Sequence, residues 1–221
     1  EWEARRVRKV VMNSTSFDKR IFTPSLLLRD LGFLLGRLPA LVRAARNPEI
    51  GSAFAEKIMI VVTAINGCVY CSWFHAGRAV ACGLSDDEIR DMFELQFAAS
   101  ASERERPALL YAQHYAETDR RPEPQMTARL KAAYGDRTAA DIELLIRMIF
   151  FGNLLGNTFD AFPARLAGRP AANGSALFEA LFYLATAWFM LPTKWLARGH
   201  HPKAAATVAP PHDGGSTSRA R

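Results

Sequence analysis

The 221-residue sequence is poor in cysteine, in strand-like alternation and in net charge over its middle. Three cysteines, Cys68, Cys71 and Cys82, are too few to staple a chain of this length, which excludes a disulfide framework. Runs that alternate apolar and polar residues are scarce, which argues against β-sheet. The glycines of 12–163 form no phosphate-cradling pattern, so no nucleotide site of that kind is expected. The start is charged, and no apolar stretch follows within the first 20 residues. That gives no sign of a secretory leader and points to a reducing, cytoplasmic setting, where paired cysteines are catalytic or metal-binding.

Charge is unevenly spread. Basic residues outnumber acidic ones 28 to 22, giving a net charge of +6. Residues 12–163 hold seventeen bases and eighteen acids, whereas 1–11 carry a net +2 and 164–221 a net +5. A nucleic-acid-binding domain presents its basic face on the folded body, so no nucleic-acid partner is expected. Apolar residues make up 49% of the chain, enough for a sizeable core and too many for a disordered protein.

The pattern that is present is helical. Residues 18–46 read as one or two amphipathic helices punctuated by Pro24 and Pro39, with an apolar face from Leu26, Leu27, Leu28, Leu31, Phe33, Leu34 and Leu35. An apolar helix follows over 52–65, with Ser52 as N-cap, and Asn66-Gly67 breaks it. The next helix spans 68–82 and stops at Gly83, and Ser85 with Glu88 then forms a capping box. Further helices are expected over 103–118, 127–134 and 138–162, with Pro163 and Gly168-Arg169-Pro170 closing the unit. The chain therefore divides into a basic segment (1–19), a helical domain (20–168), an apolar helical extension (169–198) and a disordered tail (199–221) rich in Ala, Pro, Gly, Ser and Thr.

Within that extension, 175–191 carries one charge, Glu179, and falls short of the ~20 residues that span a bilayer. Three readings stay open. It packs on the body or on a second subunit; it lies on a membrane through Tyr183, Trp188 and Trp195; or it crosses one. Membrane contact over 175–198 is carried forward as an open expectation.

One constellation carries chemistry. Cys68, Cys71 and His75 fall on one face of a helix, within two turns. A CxxC at a helix start places sulfur where free N–H groups and the helix dipole favour a thiolate, and its spacing lets the thiols close into a disulfide. His75 holds or passes a proton near neutral pH. Glu56 interrupts Phe54, Ile58, Met59, Ile60, Val61 and Val62, where an unpaired carboxylate is costly to bury. Either it faces solvent, or it meets the Cys/His face across the Asn66-Gly67 turn and serves as a proton acceptor. Read alone, the CxxC is redox-active, metal-binding or incidental. A zinc site would need a fourth ligand from His114 or Glu56, since Cys82 lies about 16 Å further along the helix from Cys71. Cys82 and His114 are read as structural.

The spacing E-x11-C-x2-C-x3-H, with Asn66-Gly67-Cys68-Val69-Tyr70-Cys71 and then Gly83-Leu84-Ser85, resembles the AhpD-like alkylhydroperoxidases of the carboxymuconolactone decarboxylase superfamily. The likeness is specific over 52–95, looser over 20–168 and absent from 169–221. It implies an all-α helical bundle packed in a homo-oligomer. It implies that a hydroperoxide oxidises Cys71, that Cys68 donates a proton and then closes the disulfide, and that Glu56 and His75 relay protons. An external dithiol regenerates the pair, and no cofactor or metal takes part. Tyr70 and Asn66 are candidate relay or pocket residues. The helix dipole alone would instead favour Cys68 as the thiolate. Better-known members carry histidine where Tyr70 stands, and tyrosine is a far weaker base. The rival readings are a lactone or carboxylate enzyme of the same fold using His75 and Glu56, and a zinc-stabilised interaction module.

Overall fold

Thr23-Pro24 begins the first helix as its residue types dictate: the Thr23 hydroxyl accepts from the Leu26 amide at 3.3 Å, and proline occupies the first turn, where no N–H partner is needed. In the computed structural model, residues 16–199 are described. Among these, eight helices account for the regular structure: α1 Pro24–Leu35, α2 Leu38–Ala45, α3 Gly51–Asn66, α4 Val69–Ala81, α5 Asp86–Phe93, α6 Arg106–Glu117, α7 Pro124–Leu166 and α8 Ala176–Gly199. The fold class is all-α, as expected. The basic segment up to residue 15 and the tail from residue 200 lie outside the described residues.

α3 is the central helix. Phe54, Ile58, Met59, Ile60, Val61 and Val62 are buried on all its sides, and α4, α5, α6 and α7 pack around it. It ends at Gly67, whose left-handed φ of 67° suits glycine and whose N–H returns to the Thr63 carbonyl at 2.8 Å. The expected capping box at α5 is present: Ser85 and Glu88 bond each other's backbone N–H. α7 is two arms joined at Gly135, where φ is 73°, so the expected helices over 127–134 and 138–162 are both there.

Three sequence expectations are corrected. α3 starts at Gly51 without a side-chain cap; Ser52 does not cap it, because the Asn47 carbonyl takes the Ile50 and Gly51 amides as the Asn47-Pro48 turn runs straight into the helix. Pro163 does not close α7, which continues to Leu166; a proline in the last turn removes only one backbone bond, and Arg165 beyond it is anchored by Glu179. The leucines of α1 form only a partial inner face: Leu34 is buried and Leu26 and Leu27 pack half-buried against the core, while Leu28, Leu31 and Leu35 are exposed, since α1 lies at the rim of the bundle.

The C-terminal helix is part of the same packed body. α8 lies along α7 and also touches α4. Its anchor is a two-pronged ion pair, Arg165 Nε and Nη2 to the fully buried Glu179 at 2.7 and 2.8 Å.

Candidate active site

The turn at Gly67 delivers Cys68 to the N-cap of α4. Ser, Thr, Asp or Asn usually occupies that position; here the Cys68 sulfur accepts from the Cys71 amide at 3.4 Å. The same sulfur lies 3.1 Å from Cys71 Sγ, so the two are in contact and unbonded. Cys68 is fully buried, while Cys71 is half-buried.

Proton affinity is divided unequally between them. Cys68 is held well above the ordinary thiol value by the hydrogen bond its S–H makes to Cys71, by burial and by the neighbouring Cys71 charge. Cys71 is lowered, chiefly because it accepts that bond, with the Asn153 amide as a further donor, against the upward pull of burial. Of the two, Cys71 is therefore the easier to deprotonate. The dipole argument, which favours the residue nearest the helix end, is overridden because the cap position here is dry and its sulfur is spent as a donor.

If Cys68 supplies the lowering bond, Cys68→Ala will move the pH midpoint of Cys71 alkylation upward. Following iodoacetamide labelling of Cys71 by mass spectrometry across pH reads this directly. An unchanged midpoint would contradict the assignment.

One turn after Cys71, His75 Nδ1 lies 2.7 Å from Glu56 Oε2. Arg78, another three residues on, donates through Nε to Glu56 Oε1 at 3.2 Å. Glu56 is thus neither unpaired nor turned to solvent: it crosses from α3 to α4, and each oxygen has its own partner. Asn66, the last residue of α3, gives its side-chain N–H to Asn153 Oδ1 at 3.2 Å and accepts from Arg20 at 2.9 Å. Tyr70 turns toward α7 and donates to Asp160 at 2.6 Å, with its ring edge on Phe159. His114 accepts from the Glu123 amide at 3.1 Å, in keeping with a structural role.

α7 forms the opposing wall, and sequence reasoning missed its contribution. Asn153 joins Asn66, Thr63 and Cys71. Gly152 and Gly156 let the helix approach the dithiol. A Cβ on Gly156 would fall 2.6 Å from Cys68 Sγ and 2.9 Å from the Tyr70 ring. The available signal was the doublet Gly152-Asn153 and Gly156-Asn157, one turn apart in an otherwise apolar helix. Arg78 was equally legible, as the next residue along the Cys71/His75 face. Phe182 and Met190 of α8 complete the enclosure in one apolar cluster with Cys68, Tyr70 and Phe159.

Assembled, the site offers one thiol with lowered proton affinity, a second thiol whose proton points at it, and the Glu56–His75 pair one turn away. Dithiol–disulfide exchange is the chemistry such a set supports, with sulfurs that need move only about 1 Å to bond. Residues 38–114 match the model of the Carboxymuconolactone decarboxylase family, the superfamily to which the AhpD-like proteins belong. The matched stretch contains Glu56, Asn66, Cys68, Tyr70, Cys71 and His75, while α7 and α8 lie beyond it. No curated protein and no solved structure matches the chain.

Proposed function

We propose that this member of the carboxymuconolactone decarboxylase superfamily is a dithiol oxidoreductase that reduces hydroperoxides. The observation that carries the reading is the Cys68–Cys71 contact at 3.1 Å, with the charge favoured on Cys71. In this reading the Cys71 thiolate attacks the outer peroxide oxygen, and the O–O bond breaks. The departing alkoxide takes a proton to leave as an alcohol, and Cys71 becomes a sulfenic acid. Cys68 then gives up its proton through the Glu56–His75 pair and attacks Cys71 sulfur. The hydroxyl leaves as water, and a disulfide forms. An external dithiol supplies two electrons and two protons to restore the pair. The cycle as written uses no metal, flavin or haem. The same reading takes the working unit as a homo-oligomer, supported by the apolar side chains that α1 leaves on the surface.

Brief hydroperoxide treatment of the full chain, followed by labelling of free thiols, tests the proposal. Labelling of Cys68 and Cys71 should vanish together and return with a dithiol reductant. A pair that stays reduced sinks the reading.

A second reading draws on the description of the matching family: a lactone or carboxylate enzyme in which Glu56 and His75 act as acid and base. Cys68→Ser and Cys71→Ser separate the two. The second reading has both variants fully active on the natural substrate, and the first has both inactive.

A further inference from the structure

We infer that α8 lies flat on an anionic lipid surface, with its outer face in the headgroup–acyl boundary. The helix is apolar on all sides. Between Ala176 and Thr193 its one charged residue is Glu179, and that is sealed against Arg165. The inner side is used by the bundle, where Phe178, Phe182 and Met190 pack toward α7 and the dithiol. The outer side presents Leu177, Leu181, Leu184, Trp188, Phe189 and Trp195 to solvent, each more than half exposed. That is a continuous apolar strip along the helix, larger than the scattered exposed side chains normal on a soluble surface.

Charge identifies the occupant. The folded middle of the chain is neutral, and the region from 164 onward carries seven bases against two acids. One acid and one base of these, Glu179 and Arg165, are paired with each other, which leaves six bases against Asp213. Lys194 and Arg198, in the last turns of α8, and Lys203 after it follow the apolar stretch in sequence, and Trp188 and Trp195 are residue types that favour the membrane interface. An apolar helix face continued by basic sequence suits acyl chains beneath anionic headgroups.

The other occupants fit less well. The exposed leucines and tryptophans recur at spacings of three and four, as in a two-helix seam. Such a seam is flanked by charged residues, whereas here Ala185, Phe189 and Pro192 flank it. A span would require α8 to leave α7, taking the Glu179 carboxylate out of its ion pair and into hydrocarbon. Lying flat keeps that pair and the inner packing intact.

The test is flotation of the full chain with vesicles of phosphatidylcholine, alone or mixed with phosphatidylserine. The wild type should float with the mixed vesicles, less with phosphatidylcholine alone, and less as salt is raised. A Leu181→Glu/Trp188→Glu double variant alters two side chains that are 58% and 79% exposed, so the fold should be kept, as its circular-dichroism melt will show. Its partitioning should fall by at least about tenfold. A wild type that floats with neither vesicle, or a double variant that floats equally well, overturns the proposal. So does a wild type that ignores lipid and whose assembly dissociates on the double substitution, which would place a second copy on this face.

Discussion

Gly156→Ala is expected to lower the melting temperature by several degrees and to separate Cys68 from Cys71, whereas Gly152→Ala, one turn earlier, is expected to be neutral or slightly stabilising. Both glycines sit in the same helix and face the same dithiol. A Cβ at Gly152 meets Cys71 Sγ at 4.0 Å, an ordinary contact. At Gly156 it meets Cys68 Sγ at 2.6 Å and the Tyr70 ring at 2.9 Å. Cys68 is short and pinned as the cap of α4, and Tyr70 is buried and tied to Asp160, so neither side chain can swing away alone. The first turn of α4 must move off α7 as a unit. Overpacking of this kind costs about 1–3 kcal/mol, against which alanine in a helix recovers about 1 kcal/mol. At Gly152 only the recovery applies. Thermal melts of the two variants should therefore differ in sign, and hydroperoxide-driven disulfide formation should slow only in Gly156→Ala. Equal melts would mean that α7 does not press on the dithiol.

Removing the carboxylate at Glu56 should reduce turnover more than it reduces stability. The side chain is 8% exposed and bonded by His75 and Arg78, of which Arg78 is 54% exposed and can turn to water. Glu56→Ala then leaves His75 as the main stranded group, at a cost of about 1–2 kcal/mol once solvent screening at Arg78 is allowed for. Glu56→Gln keeps the shape and can still bond His75, but it cannot take a proton. If Glu56 and His75 relay the Cys68 proton, both variants should slow disulfide formation by about 10²–10⁴. Glu56→Gln should melt close to the wild type. Stopped-flow measurement of thiol loss after hydroperoxide addition separates the two effects. A Glu56→Gln protein that reacts at the wild-type rate would remove Glu56 from the relay.

Local signals translated well. Asn66-Gly67 and the Ser85/Glu88 box are decided by residues a few positions apart, and the structure places both as the sequence reading has them. The meeting of Glu56 with His75 was also legible, because both flank one tight turn and a carboxylate in an apolar run demands a partner. What depends on distant segments was not. Asn153 and Gly156 lie some eighty residues beyond the cysteines, and only the packing of α7 on α4 brings them there. Which thiol is the easier to deprotonate was likewise not readable from helix polarity, since it turns first on the hydrogen bond from Cys68 to Cys71, and then on the burial of Cys68 and on Asn153. Leu28, Leu31 and Leu35 of α1 misled for the complementary reason: periodicity marks an apolar face, and it does not say how much of it is covered.

The cap of α4 has a consequence of its own. At most helix starts the capping atom is chemically idle, and the backbone amide it satisfies never changes partner. Here that atom is the Cys68 sulfur, so under the proposed function one lone-pair-bearing centre is both structural and reactive. Any bond made at that sulfur alters what the Cys71 amide can lean on. On that reading, the redox state of the pair is written into the backbone of the helix that carries it.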